Sequence, residues 1–218
     1  ARAVLTEDEK EVGVAMVEIG AQTTNVAAYY EGKIHHVAIL PFGGATLTQD
    51  LMRGLAVPYK EAQRAKEHHS HAFAQMVDPR ETVDLPGPSP NQMRSVACEL
   101  IAHIVEQRLD EMFGIIQGEL QDHGVAEKLG AGIVLSGGSA SIPGITELAQ
   151  QIFAAPVRLG VPAEGLGGIA DVVARPRFTV GAGLALWGAD RFAETGRGAS
   201  TRASGIVTRL GVWLKEFF

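Results

Sequence analysis

Two short apolar segments, each ending in a polar turn, constrain the fold of this chain more strongly than any other feature of its sequence. The first covers residues 12–18 and leads into a tight turn over residues 20–23. The second covers residues 133–136 and leads into Gly137-Gly138. Uninterrupted apolar runs of this length are typical of strands buried on both faces of a sheet. We therefore expect two buried strands with polar turns at their carboxyl ends.

The pattern between and after these strands predicts an α/β order of elements. A hairpin meander is expected over residues 25–30 and 33–40, joined by a two-residue turn at Glu31-Gly32. Apolar residues at helical spacing predict helices over residues 46–54, 60–69, 91–124, 145–153 and 178–191. Short strands are predicted around Val83 and over residues 157–159. The longest helix is expected to begin near Asn91, because residues 89–92 have capping-box spacing with proline at the first helical position.

Composition excludes some classes of function. The 218 residues allow one large domain or two small ones. The net charge of −6 argues against bulk attraction to nucleic acid, so no nucleic-acid partner is predicted. The single cysteine, Cys98, excludes an internal disulfide, fits a reducing compartment, and is predicted to lie in the core.

The last thirteen residues form an amphipathic pattern. At about 100° per residue, the apolar side chains fall within an arc of about 140°. The predicted membrane-binding residues are Ile206, Val207, Leu210, Trp213, Leu214, Phe217 and Phe218, with the flanking cations Arg209 and Lys215. The segment is shorter than the about 20 apolar residues needed to span a bilayer. An aromatic face with flanking cations favours a helix that lies among lipid headgroups.

The alternative for this segment is a helix packed on its own domain or on a partner. The polar stretch over residues 194–204 favours the membrane, because a docked core helix rarely follows a loose linker. From Thr195 onward the chain has four basic residues and one acidic residue, which gives this part a net charge of +3. A cationic tail on an acidic body suits an anionic membrane surface.

The two turns are also the motifs that could carry chemistry. The first offers backbone amides and hydroxyls to phosphate oxygens at Gly20, Ala21, Gln22, Thr23 and Thr24. Glu18, at the end of the preceding strand, could hold Mg²⁺ through water. The second turn, with Gly137, Gly138 and Ser139, allows a ligand to approach the backbone at the carboxyl end of a strand. Taken singly, the first motif favours an ordinary polar hairpin turn, and the second is equally compatible with an ordinary strand–helix turn.

Taken together and in this order, the motifs resemble the second phosphate motif and the adenosine motif of the actin, sugar-kinase and heat-shock-chaperone ATPase superfamily. The segment over residues 41–50 resembles the superfamily's turn into the nucleotide-side helix. Gln63 and Lys66 match the helix that contacts the adenosine ribose. Within the superfamily, the chain from Val12 to Phe218 is similar to the FtsA family of bacterial cell-division proteins. The match includes residues 165–176, residues 179–188 and the amphipathic tail.

The resemblance implies one half of a two-lobed, ribonuclease H-like α/β fold with a C-terminal amphipathic helix, from the second part of a longer protein. Its implied divisions are subdomain 2A over 1–44 and 131–192, subdomain 2B over 45–130, a flexible linker over 193–204 and a membrane-targeting helix over 205–218. It implies ATP and Mg²⁺ as cofactors, with about half of the nucleotide site in this chain. It also implies self-association into filaments, binding of the FtsZ C-terminal tail on subdomain 2B and contacts with other division proteins. The implied location is the cytoplasmic face of the cell membrane at the division site.

The chain departs from the pattern of the superfamily at three points. Glu18 stands where an aspartate is usual, Ala21-Gln22 where a glycine pair is usual, and Gln63 where a glutamate is common. These changes weigh against ATP hydrolysis more than against nucleotide binding, and no catalytic residue is predicted. Two alternative functions stay open: an ATPase or kinase of the same superfamily whose purpose is catalysis, and a PilM-type pilus-assembly adaptor.

Overall fold

A computed structural model of the chain describes residues 1–87, 92–162, 166 and 170–195. The strands are β1 (Val14–Ile19), β2 (Thr24–Tyr30), β3 (Lys33–Leu40), β4 (Thr82–Pro86), β5 (Met93–Ala97), β6 (Gly132–Ser136) and β7 (Val157–Leu159). The helices are α1 (Glu7–Val12), α2 (Gly44–Gly54), α3 (Tyr59–His69), α4 (Cys98–Asp122), α5 (Ile145–Phe153), α6 (Ala170–Val173) and α7 (Thr179–Thr195). Short 3₁₀ turns include Gly138–Ser141 and Pro176–Phe178.

Five strands form a mixed sheet in the order β3-β2-β1-β6-β7. The meander β1-β2-β3 is antiparallel, whereas β6 pairs in parallel with both β1 and β7. This arrangement places the two predicted buried strands, β1 and β6, side by side at the centre of the sheet. The α/β order predicted from the sequence is therefore confirmed.

Strand β1 is buried on both faces, which explains its uninterrupted apolar sequence. Ala15, Val17 and Ile19 face the larger core, which includes buried side chains from α2, α4 and α5. Val14 and Met16 face a smaller core built from the N-terminal residues, with Ala182 and Leu186 of α7 packed against it. The sheet thus separates two apolar layers.

The first strand begins two residues later than the sequence predicts. Thr6 and Glu9 form a capping box that starts α1 in the charged lead, and this helix extends to Val12. Gly13 ends that helix with φ of 112°, a conformation that favours glycine. A Cβ at this position would lie 1.8 Å from the carbonyl oxygen of Lys128.

The predicted start of the longest helix near Asn91 is wrong. Residues 93–97 form β5, which pairs with β4 in a two-stranded antiparallel sheet, and α4 begins only at Cys98. The hairpin places Val96 opposite Val83 and buries Val96, so the pairing overrides the local capping signal. Cys98 is buried, as predicted.

The predicted linker lies mostly, and the predicted membrane helix entirely, outside the described residues. Among the helices that the structure describes, none combines the length and the apolar character needed to cross a bilayer.

The packing of α4 generates a prediction about stability. Phe113 is fully buried, and its ring meets Phe153 edge-to-face with centroids 5.5 Å apart. Phe113→Ala should lower the free energy of unfolding by about 3–5 kcal/mol, because it removes a large core side chain and leaves a cavity. Leu100→Ala, on the exposed side of the same helix, should change it by less than about 0.5 kcal/mol. Urea unfolding of both variants tests this, and equal losses would contradict the assigned core.

Candidate functional site

The parallel pairing of β1 with β6 brings both polar turns to one edge of the sheet. Glu18 lies beside Ser136 in the ladder, so the turns that follow these residues are neighbours. Gly137 has a φ of 89°, and a Cβ on it would lie 2.3 Å from the carbonyl oxygen of Ile19. Only glycine allows the backbone of the second turn to pass this closely to the end of β1.

The first turn is fixed by backbone hydrogen bonds to itself and to the start of α2. The Gly20 amide donates to the carbonyl oxygen of Thr23 at 2.9 Å. The amides of Gly44 and Ala45 donate to the carbonyl oxygens of Gly20 and Ala21, at 2.9 and 2.7 Å. The N-terminus of α2 is therefore held directly against the first turn. Such a helix end carries a partial positive charge that favours anions.

The second turn touches the same helix end from the other side. A Cβ on Gly44 would lie 2.6 Å from Ser139 Oγ and 3.3 Å from Lys66 Nζ. The first turn, the second turn and the start of α2 thus converge around one cavity of about 540 Å³, which α3 closes on a further side. A cavity of this size falls within the range of small-molecule sites.

Six of the predicted nucleotide-binding residues line this cavity: Gly20, Ala21, Gln63, Lys66, Gly138 and Ser139. Gln22 and Thr23 lie on the exposed surface of the first turn. Thr24 and Gly137 are buried and do not line this cavity. The Thr24 hydroxyl is buried and donates to the carbonyl oxygen of Phe42 at 2.9 Å, so its part in the structure is to hold the meander.

Lys66 supplies a cation to the wall of the cavity. Its ammonium donates to the carbonyl oxygen of Gly44 and the hydroxyl of Thr48, each at 2.9 Å, and to Gln63 Oε1 at 3.1 Å. Burial lowers the pKa of Lys66, and the nearby Glu67 carboxylate partly opposes this effect. These contacts hold the ammonium between α3 and the start of α2.

Sequence reasoning missed several residues of the cavity wall. Arg177 adds a second cation, from the 3₁₀ turn before α7. Tyr59, at the start of α3, contributes an aromatic ring, and Ile142 and Pro143 contribute apolar surface after the second turn. These residues come from loops or element ends, and no short motif marks them. Gly44 and Ala45 also line the cavity, and they belong to the segment over residues 41–50 that the sequence did single out.

Glu18 does not line this cavity. Its carboxylate accepts a hydrogen bond from Asn25 Nδ2 at 2.6 Å and lines a neighbouring groove of about 380 Å³, to which Thr179 also contributes. The carboxylate is nevertheless close to the first turn, since a Cβ on Gly20 would lie 3.5 Å from its Oε1. On the same face of the sheet, the buried Ser136 Oγ has no hydrogen-bond partner within the described residues. These oxygens suit a hard cation or its water ligands.

The predicted membrane-binding residues lie outside the described residues. These are Ile206, Val207, Arg209, Leu210, Trp213, Leu214, Lys215, Phe217 and Phe218.

The fold has clear counterparts among solved structures. MreB5 of Spiroplasma citri bound to AMPPNP is similar, with a TM-score of 0.69 and 16% identity over 88% of this chain and 57% of that one. The PilM–PilN type IV pilus biogenesis complex contains a similar chain, with a TM-score of 0.61 and 17% identity over 84% of this chain and 47% of that one. The protein therefore has the actin-like ATPase fold, as predicted.

Sequence comparison identifies the family. The model of the family "Cell division protein FtsA" matches residues 15–183. The cell division protein FtsA of Pseudomonas aeruginosa is 39% identical over 229 aligned residues, which cover 100% of this chain and 54% of the relative. The chain belongs to the FtsA family, and it spans about half the length of the curated relatives it matches.

The adjacent glycines of the second turn allow a sharp test of its geometry. Gly137→Ala should lower the free energy of unfolding by about 2 kcal/mol or more, because its Cβ would meet the Ile19 carbonyl in a conformation that favours glycine. Gly138→Ala should change it by less than about 0.5 kcal/mol, because a Cβ there meets nothing within 4 Å. Chemical denaturation measures both values. A Gly137→Ala chain as stable as the Gly138→Ala chain would disprove the close approach of the two turns.

Proposed function

We propose that the cavity between the two turns binds ATP. The observation that carries this proposal is the convergence of a polar turn, a helix N-terminus and the Lys66 ammonium on one cavity. The phosphates would lie against the amide of Ala21 and the start of α2, where the helix dipole favours negative charge. The Lys66 ammonium and Arg177 add positive charge to the same wall.

The base and ribose of the nucleotide would lie along α3 and the second turn, within the same cavity. Tyr59 offers an aromatic ring, and Ile142 and Pro143 offer apolar contacts. Gln63 and Lys66 also line the cavity, and each would exchange a present protein partner for a ribose hydroxyl. The MreB5 structure was obtained with AMPPNP, which supports a nucleotide as the ligand of this fold.

Magnesium would bind beside the phosphates, through water held by Glu18. The carboxylate lies close to Gly20, and the Ser136 hydroxyl offers a further oxygen on the same face of the sheet. Mg²⁺ commonly keeps several water ligands and needs few protein carboxylates. When bound, the ion neutralises phosphate charge.

Weak hydrolysis, or none, fits the residues at this site. The Glu18 carboxylate accepts a hydrogen bond from Asn25 Nδ2, which holds it beside β2. No residue of the chain is assigned a catalytic role. An ATPase or kinase with catalysis as its purpose is the alternative, and fast ATP turnover by the full-length protein would favour it.

The function that follows is that of a membrane-tethered, actin-like adaptor in cell division. The amphipathic segment over residues 205–218 would attach the body to anionic lipid on the cytoplasmic face of the cell membrane. Subdomain 2B, over residues 45–130, would bind the C-terminal tail of FtsZ, and further division proteins would join the assembly at the division site. ATP-bound subunits would assemble into filaments.

Filament formation would strengthen a weak membrane contact. Burying the apolar face of one tail contributes several kcal/mol at most, at about 25 cal/mol per Å² of apolar surface. A single tether is therefore reversible, whereas a filament carries many tethers that act together. Membrane attachment and assembly would thus be coupled.

A PilM-type pilus-assembly adaptor is the second candidate, supported by the likeness to the PilM–PilN complex in fold. The identity to FtsA of P. aeruginosa is 39% against 17% to the PilM chain, which favours the division adaptor. Capture of this chain by an immobilised FtsZ tail peptide separates the two functions.

A bulky side chain placed in the cavity should block nucleotide binding. Gly138→Trp should weaken ATP–Mg²⁺ binding at least about tenfold, because the indole occupies space against which the nucleotide would lie. Gly114→Trp, on the exposed surface of α4, is the matched control and should bind as the unmodified chain does. Isothermal titration calorimetry measures both. Equal affinities for the two variants would exclude this cavity as the site.

The membrane proposal predicts a loss of vesicle binding on a single substitution. Trp213→Glu places a charge within the apolar arc and should abolish co-sedimentation with anionic vesicles, while the circular dichroism spectrum of the body stays unchanged. Val212→Glu, on the polar side of the predicted helix, should retain most of the binding. If Trp213→Glu still sediments with the vesicles, the tail is not the membrane anchor.

A further inference from the structure

Three side chains with metal-binding atoms meet at a place separate from the residues that line the nucleotide cavity. His36 lies on β3, Glu119 near the end of α4, and His123 directly after that helix. His36 Nε2 is 2.9 Å from Glu119 Oε1, and His123 Nδ1 is 3.4 Å from the same oxygen. The ligand atoms of the three residues lie within 4.8 Å of one another.

These separations match the spacing of ligands around a zinc ion. Zinc binds imidazole nitrogen and carboxylate oxygen at about 2.0–2.2 Å in tetrahedral geometry, so two of its ligand atoms are about 3.3 Å apart. The distances of 2.9 and 3.4 Å lie on either side of this value. Two histidines and one glutamate form a ligand set that zinc uses with a water molecule in the fourth position.

The burial of the three residues also suits a metal site at the surface. The side chain of His36 is 12% exposed, that of Glu119 27% and that of His123 49%. The first two are therefore held by the surrounding protein, while the third can move and leaves the site open to solvent. Glu119 and His123 are four residues apart, a spacing that puts them on one side of a helical turn.

We propose that His36, Glu119 and His123 bind one Zn²⁺ ion, with a water molecule as the fourth ligand. The arrangement without metal already holds the ligands close together. The His36 and His123 rings stack with centroids 4.0 Å apart, and His123 Nδ1 is hydrogen-bonded to the carbonyl oxygen of Glu119 at 2.8 Å. Binding needs the exposed His123 ring to turn out of the stack, so that its nitrogen exchanges the carbonyl for the metal.

The ion would join two distant parts of the chain. β3 is an outer strand of the five-stranded sheet, and α4 is the longest described helix, whose last turn carries Glu119. A zinc ion between them would fix the end of α4 to the sheet. Because the ligands come together only in the folded chain, zinc binding should stabilise the fold.

Titration of the untagged chain with ZnCl₂ in a calorimeter tests the proposal. We expect one equivalent to bind through these residues, and His36→Ala and Glu119→Gln to weaken that event at least about tenfold. His123→Ala should weaken it too, and this exposed position gives a variant that folds even if the first two do not. His69→Ala and His103→Ala are the controls, because neither side chain belongs to the cluster. His69 also tests whether zinc binds instead at a second group of candidate ligands, to which it belongs.

Thermal unfolding provides an independent readout. Zinc should raise the Tm of the unmodified chain and of both controls, and EDTA should reverse the rise. The Tm of His36→Ala and His123→Ala should not respond to zinc. Zinc affinity and zinc-induced Tm shifts that are the same in the cluster variants and the unmodified chain would overturn the proposal. ATP binding is measured separately, so this result does not depend on the proposed nucleotide site.

Discussion

The contact between the ends of β1 and β6 is the constraint on which the rest of the site depends. The parallel ladder sets the two strands in register, and Gly137 lets the second turn pass against the carbonyl of Ile19. From this contact follow the position of Gly138 and Ser139 and, through the hydrogen bonds of Gly20 and Ala21, the position of the α2 N-terminus. A loosened contact would separate the walls of the cavity, although every residue that lines it would remain.

The sequence predicts the centre of this arrangement well because strong local signals mark it. The apolar runs of β1 and β6 reflect burial on both faces, and their turns contain the glycines that close backbone approach requires. Residues outside such patterns were not predictable in the same way. Arg177 and Tyr59 reach the cavity from element ends, and only the tertiary fold brings them there. The sequence predicts a helix in place of β5, because the local capping signal before it competes with the pairing to β4. Glu18 lies on the opposite face of the sheet from Val17 and Ile19, because side chains alternate along a strand, and its carboxylate contacts Asn25 there.

Membership of the FtsA family and the actin-like fold give these observations a common interpretation. The chain spans about half the length of its relatives, and it carries a cavity walled by two turns, α2 and α3. We propose that nucleotide binding and lipid binding occupy separate parts of the sequence. Such a division would let ATP control assembly while the tail controls location. The departures at Glu18, Ala21 and Gln63 weigh against rapid hydrolysis of ATP more than against its proposed binding.

A crystal structure of the chain with AMPPNP and Mg²⁺ tests the central claim most directly. We expect phosphate oxygens within hydrogen-bond distance of the Ala21 amide, beside the start of α2. We also expect the base between Tyr59 and Ile142. Nucleotide density in the groove beside Glu18, or elsewhere on the surface with the cavity between the turns left open, would contradict it.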